Sequence, residues 1–593
     1  MINKKKIWIF TFELAGIAKV GGLGEVPANQ ARYLKDKFDV TVFMPSHGQV
    51  QRQMNTAIIE KLDVMCKGKI NPNSFSSINE IQEYRIEYYL LNKEGIKIVL
   101  IKGVDDFSSS FLENENIYGK DVLMGKVCFF SLAMKYYIRH LIQNNKNGLP
   151  DIIHLHDYHS VIPFIALKQE LNENDLDVHS IITIHLLTWP RYGLDFYHAC
   201  GVDDRKIRIK LKDGFKNFSI KEIHDLIGKN VKKGLPTVEQ MGALVCDLVT
   251  TVSKSYLNSD IIPNCGNELI KFKSDFIWDG CDWDYNNIRE RILSDNEKEI
   301  RTFLRLSKEN TITRKDLRRF LLEYKLGHLT KSPLINSEKV LQVINEISNG
   351  NPFIKNGTIK PFSSSGPLIL TTGRISPQKG FEIIFESMPT IIKHVQNVKF
   401  LFLILPTDYS LNEIKIYASQ VKKYPNNVRI IFGVASDIFH LAHLSADIFC
   451  ALSRWEPFGI MALEAMALKL PIIATRVGGL QETVIDIREN PKEGTGILIE
   501  KDYLKQFISA LISMIKLSEL GELAKSSNNQ GLNRHVFKKM VKKIPDKKIK
   551  LLATKNPKLY DDIMENCLKR VKENFTWEKV TKKLIRLYDQ LLI

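Results

Sequence analysis

The sequence predicts an α/β protein built on two separate parallel sheets. Three observations lead there. The chain's 593 residues exceed what one hydrophobic core supports, so about two to four domains are expected. Short runs rich in β-branched residues, with no polar alternation, mark strands buried on both faces, and helical patterns separate several of them. That alternation stops in a polar middle stretch and then restarts, which is the mark of a second domain of the same class.

In chain order, "KIWIFTF" (6–12) reads as the first buried strand. "GEVPANQARYLKDKF" (24–38) reads as a helix with Pro27 in its first turn, where a missing N–H costs nothing. "DVTVFMP" (39–45) is the next strand, followed by runs at 95–104, 151–157, 180–186 and 247–253. Residues 1–285 are therefore expected to form an open parallel sheet with helices on both sides. Residues 286–365 are polar and mostly helical, end in the loop-rich "NGNPFIKNGTIKPFSSSGP", and are expected to be a connecting insertion. Strand runs resume at 368–374, 398–405, 428–434, 446–452, 471–477 and 496–500, giving a second sheet domain over 366–573. The tail, 574–593, reads as an amphipathic helix with Trp577, Val580, Leu584, Leu587 and Leu591 near one face.

Composition narrows the function classes. The formal net charge of +17 permits an anionic partner, but part of it is the basic block "KKMVKKIPDKKIK" (538–550), which reads as a solvated face. No zinc-finger spacing or RNA-binding aromatic segment is present, so no nucleic-acid partner is expected. The eight cysteines form no C-x-x-C pair, which argues against a structural zinc or redox pair and fits a reducing compartment. Glu13 and Lys19 interrupt the N-terminal apolar run, so it reads as a strand rather than a signal peptide. No stretch approaches the ~18 apolar residues of a membrane span, and the protein is expected in the cytoplasm.

Five motifs carry chemistry. "KVGGLGEV" (19–26) sets Lys19 before Gly21 and Gly22 and opens a helix; such a turn attracts anions, yet it fits neither the Walker A loop nor the dinucleotide fingerprint, because Pro27 stands where a third glycine belongs. In "HLHDYH" (154–159) His154 and His156 share a strand face; they read either as packed neutral imidazoles or as a ligand-facing edge, with metal ligation the minor alternative. Asp157 and His185 each end a strand, and in open parallel sheets that edge borders the ligand crevice. "GRISPQKG" (373–380) offers Arg374 and Lys379 from one loop, two cations suited to a diphosphate unless they are ordinary surface charges. "SRWEPFGIMALEAM" (453–466) holds Glu456 and Glu464 eight apart around a turn into a helix near Gly459, a spacing that would let both lie on one face. "TRVGGLQETV" (475–484) repeats the glycine-pair turn and is a second candidate phosphate cradle.

In this order the motifs closely resemble those of the glycogen and starch synthases, and the uninterrupted E-x7-E with "WEPFG" looks more like the archaeal type than the bacterial one. That resemblance implies a GT-B fold: two Rossmann-like domains facing across a cleft, and retaining transfer of glucose from ADP-glucose or UDP-glucose to the non-reducing 4-hydroxyl of an α-1,4-glucan such as glycogen. It implies that Lys19, Gly21 and Gly22 touch the donor's diphosphate and glucose, and that Asp157 and His185 hold the glucose. Arg374 and Lys379 would neutralise the leaving diphosphate, Glu456 would bind glucose hydroxyls, the amides of Phe458, Gly459, Ile460 and Met461 would hold sugar and phosphate, and Glu464 would grip the ribose. The terminal helix would cross back onto the first domain. No cofactor and no metal are expected; "DWD" (282–284) matches a metal-binding pattern but falls in the interdomain connection and reads as structural. Leu186 stands where the family usually has Asn, and segments 287–365 and 520–560 look longer than usual. Two other readings remain: a transferase with a small or lipid acceptor, and a non-catalytic glucan-binding protein on the same scaffold.

Overall fold

The structure is a computed structural model describing residues 4–593 apart from 56, 232–233, 330–332, 336, 355–358 and 527–533. Part of the loop-rich run at 349–367 and of the segment at 520–560 therefore lies outside the described residues. The chain divides into two compact units: Met1–Gly280 with Trp577–Ile593, and Cys281–Thr576.

In the first unit the strands are β1 (Lys6–Phe10), β2 (Asp39–Pro45), β3 (Ile59–Ile70), β4 (Gln82–Lys93), β5 (Ile96–Gly103), β6 (Ile152–His156), β7 (His179–Ile184), a separate hairpin of β8 (Ile207–Leu211) and β9 (Gly214–Phe218), then β10 (Leu248–Thr251) and β11 (Ser274–Phe276). The nine-stranded sheet runs β11-β10-β7-β6-β1-β2-β5-β4-β3. Its central strands are parallel and buried, as their unbroken apolar runs require. The sheet is mixed, however, because β3 and β4 add an antiparallel edge. These two strands carry alternating charge ("KLDVMCKGK", "QEYRIEYYL") and are exposed at alternate positions, so the rule for doubly buried strands does not detect them.

The second unit contains β12 (Leu368–Arg374), β13 (Lys399–Leu405), β14 (Val428–Phe432), β15 (Ile448–Ala451), β16 (Ile472–Thr475) and β17 (Gly496–Ile499), all parallel, in the order β14-β13-β12-β15-β16-β17. In each sheet the strand order reverses beside one strand: β1 lies between β2 and β6, and β12 lies between β13 and β15. Loops leaving the carboxyl ends of such a pair diverge and open a crevice, which is where ligands bind in this architecture.

The stretch 286–365 is not a separate connector. Its helices Tyr285–Leu304, Arg314–Glu323 and Glu338–Ser348 are part of the second unit. Arg314 donates to the carbonyls of Ala446 and Leu468, and Arg318 pairs with buried Asp447, whose other oxygen accepts the Leu368 amide at the start of β12. Arg429 is buried between the rings of Phe353 and Phe362, 4.4 and 4.0 Å from their centroids. Its guanidinium donates to the carbonyls of Lys360, Pro361, Pro425 and Val428. Arg314 and Arg318 thus tie this polar stretch to the second sheet, and its Phe353 and Phe362 cover Arg429 of β14, so it is not a solvated linker.

Trp577–Leu591 is a helix of the first unit. Trp577 and Val580 pack with Val26 of the helix Glu25–Leu34, and Tyr33 and Trp278 border them. Its buried face also includes Tyr588, whose hydroxyl reaches His154 of β6, while Leu591 is only half-buried.

Replacing Arg429 with Leu would leave its carbonyl acceptors without a donor. A loss of roughly 2–4 kcal/mol is expected, read as a lower urea midpoint for the transition that involves the second unit.

Candidate active site

In the first unit the motifs meet where the strand order reverses. The loop after β1 carries Lys19, Gly21 and Gly22, the residue after β6 is Asp157, and the residue after β7 is His185. Asp157 sits at φ 58°, a left-handed conformation that non-glycine residues adopt only under constraint, and one that often marks functional sites. Its carboxylate accepts the His185 amide at 2.7 Å and the Leu186 amide at 3.4 Å. Leu186 therefore still contributes its backbone where the family's Asn side chain is missing. His185 is partly exposed, and its Nε2 lies 2.9 Å from Nδ1 of buried His156. Burial holds His154 and His185 neutral, each pushed down to about 3, and pushes His156 lower as well.

The glycine loop is organised by a residue that motif reading missed. Buried Glu13 accepts the amides of Val20 and Gly21 at 2.6 and 2.8 Å and the Tyr118 hydroxyl at 2.5 Å. The Gly21 amide, one of those expected to face a phosphate, is thus already bonded to a carboxylate. Lys19, by contrast, is exposed and paired with Glu25. Gly21 is extended, and a Cβ there would meet nothing within 4 Å, so packing within the chain does not demand glycine. Glu239 is a second missed acid. It is buried on the helix Val238–Val245 and accepts the amides of Thr188 and Trp189 at 2.9 and 3.0 Å, fixing the loop after His185. The signal for both was a lone acid inside an apolar run.

In the second unit the loops after β12 and β15 are stitched together. Gln378 donates to the Trp455 carbonyl at 2.7 Å, and the Arg454 amide donates to the Gln378 carbonyl at 2.8 Å. Lys379 and Glu456 form an ion pair at 2.5 Å, with Ser453 donating to the same carboxylate oxygen at 2.9 Å. The Lys379 stem passes over Gly373, whose absent Cβ would lie 3.6 Å from Cε, next to Arg374. Arg374 is exposed and has no ionic partner among the described residues.

Glu456 and Glu464 do not share a helix face. Glu456 lies in the loop, and Gly459, at φ 95°, turns the chain into the helix Ile460–Ala467, which carries Ile460, Met461 and a half-buried Glu464. That helix start has no side-chain cap, while Phe458 is buried beneath it. The second glycine pair is not a free cradle either. Gly478, at φ 44°, packs its Cα face against the Glu456 carbonyl, where a Cβ would come within 1.8 Å, and the Gly479 amide donates to the carbonyls of Glu456 and Pro457 at 3.1 Å. Both glycines brace the loop that presents Glu456. Asp284 of "DWD" caps the helix Tyr285–Leu304 by accepting the Asn287 amide, a structural role.

Comparison with known proteins matches this division. Residues 6–271 fit the starch synthase catalytic domain and residues 356–533 fit the glycosyl transferases group 1 family. The chain belongs to the glycogen and starch synthase family. Glycogen synthases of Thermodesulfovibrio yellowstonii and Flavobacterium johnsoniae are 23% and 24% identical to it. The first alignment covers 99% of this chain and 98% of the relative, the second 86% and 92%. The catalytic domain of Arabidopsis thaliana starch synthase IV, solved bound to ADP and acarbose, superposes with a TM-score of 0.62 at 18% identity, covering 100% of this chain and 99% of that one. The GT-B fold follows, and with family membership the class of retaining hexosyltransferase. Among the described residues no helix is long and apolar enough to cross a membrane.

Burial pushes the Asp157 carboxyl up to about 8; the two amide bonds oppose this, and Glu239 and Glu13 reinforce it. A carboxyl that keeps its proton to higher pH when folded than the unfolded value of ~3.9 adds stability below about pH 4, and this is lost as pH rises through about 8. Asp157→Asn keeps an acceptor for both amides and removes the titration. Thermal melts should show the variant gaining on the parent by a few degrees more at about pH 8.5 than at about pH 5; an equal difference at both values would refute the shift.

Proposed function

We propose that this chain is a glycogen synthase, transferring glucose with retention from ADP-glucose or UDP-glucose to the 4-hydroxyl at the non-reducing end of an α-1,4-glucan. The observation that carries the reading is the Lys379–Glu456 pair, fixed between two loops beside an uncapped helix start and an unpaired arginine. This is an arrangement for a ligand with both a diphosphate and hydroxyl groups. Arg374, Lys379 and the amides of Ile460 and Met461 supply positive charge toward the departing diphosphate, and Glu456 accepts from sugar hydroxyls. Phe458 and Gly459 shape that helix start, and Glu464 takes the ribose.

The first unit supplies two neutral, hydrogen-bonding groups and one cation. Asp157 and His185 hold the glucose, and Lys19, with the open face at Gly21 and Gly22, approaches the donor. The bond from C1 to the diphosphate oxygen breaks, a bond from C1 to the acceptor O4 forms on the same face, and the acceptor proton passes to the departing diphosphate. Excluding water from the loaded site favours the glucan over hydrolysis.

Labelled ADP-glucose and UDP-glucose, each offered with and without glycogen and with and without chelator, test the proposal. Label should enter the polymer and survive chelation, and Arg374→Ala or Lys379→Ala should reduce the rate by about 100-fold or more. Free glucose as the sole product, donor consumption only with a small or lipid acceptor, or glucan binding with no turnover would each overturn it.

A further inference from the structure

Three imidazoles stack in the first unit. His154 lies 4.5 Å from His156, and His156 lies 5.2 Å from His185, with interplanar angles of 29° and 15°. The hydrogen bonds around them fix where the protons sit. The buried Tyr588 hydroxyl finds its acceptor, among the described residues, in His154 Nδ1 at 2.8 Å, which leaves that nitrogen bare and the ring's proton on Nε2. His154 Nε2 then donates to the Thr183 hydroxyl at 2.7 Å, and Thr183 donates on to Thr250, also 2.7 Å away. The Thr250 proton is left for the Ile182 carbonyl at 3.2 Å. This directed chain, from the terminal helix into β7 and β10, fixes the ring on which His156 rests.

The same reasoning extends one ring further. His156 is fully buried, and its Nε2 has no partner among the described residues. A proton there would be a buried, unsatisfied donor, the costlier of the two possible orphans. With its single proton on Nδ1 instead, His156 donates across the 2.9 Å contact to His185 Nε2. That nitrogen must then be bare, and the His185 proton must sit on Nδ1, the ring atom with no partner among the described residues.

We propose that His156, seated on the Tyr588–His154 relay, is the positioning residue that holds His185 as its Nδ1–H tautomer and so aims a hydrogen-bond donor out of the sheet edge. An imidazole free in water prefers the opposite tautomer, so the assignment is a definite departure. The tautomer follows from the geometry alone. Its effect on turnover rests on the proposed reading of His185 as a sugar contact.

Histidine labelled with 13C and 15N in the full chain, with the His185 signal assigned by its loss in His185→Asn, reports the tautomer directly. The parent should show His185 protonated at Nδ1. His156→Leu should return it to the Nε2–H form and lower turnover by about tenfold or more. His156→Asn, whose side-chain amide stands where Nδ1 stood, should restore both the tautomer and most of the rate. An Nε2–H His185 in the parent overturns the proposal even if no variant folds, as does a His156→Leu chain with unchanged tautomer and rate. Full turnover by His185→Asn would instead overturn the sugar-contact reading, while the parent spectrum still decides the tautomer.

Discussion

An ammonium group withdrawn from water needs an acceptor in exchange, and at the carboxyl edge of the second sheet the acceptor that meets Lys379 is the Glu456 carboxylate. Their side chains are 15% and 10% exposed, and the carboxylate is held further by Ser453. The surrounding backbone serves this pair. The β12 and β15 loops are stitched to each other, and Gly478 and Gly479 admit the Glu456 loop at a distance no side chain would allow. In the free chain the Lys379 ammonium is thus already neutralised from within. The first unit follows the same rule with amides in place of a cation: Glu13 and Glu239 each satisfy a buried carboxylate, and Asp157 a buried carboxyl, on the backbone of a loop that faces the crevice.

The two sheets reach their sites by the same topological route. Each places its chemistry where strand order reverses, at β1 and β6 in one and at β12 and β15 in the other. Sequentially distant loops become neighbours there, residues 19–22 with 157, and 374–379 with 453–461. The parallel strands need no side-chain alternation to do this; they need only to be buried on both faces, which frees their carboxyl ends to carry polar groups.

This explains which features were legible in the sequence. The buried parallel strands were, because their apolar runs are continuous, and β12 coincides with its predicted span. The antiparallel edge of β3 and β4 was not, because its exposed face interrupts those runs with charge. Arg374, Lys379 and Glu456 were legible as motif residues, and their grouping came from the family resemblance rather than from spacing, since strand order is a tertiary property. The glycine pairs differ from the open cradles that spacing suggests for a related reason. Motif spacing shows where backbone is exposed, but not that Glu13 or Glu456 lies close enough to take it up. The polar stretch 286–365 misled because an arginine such as Arg318 looks solvated in sequence and is paired with buried Asp447 in the fold.

The exchange of partners at Lys379 is tested most directly by the affinity of ADP and UDP for Glu456→Gln, measured by calorimetry against the parent at one ionic strength. With its internal anion removed, Lys379 is free for the nucleotide, and the variant should bind the diphosphate several-fold more tightly while transferring glucose more slowly. Binding that is unchanged or weaker in the variant would contradict the claim that Glu456 holds the diphosphate's cation in the free chain.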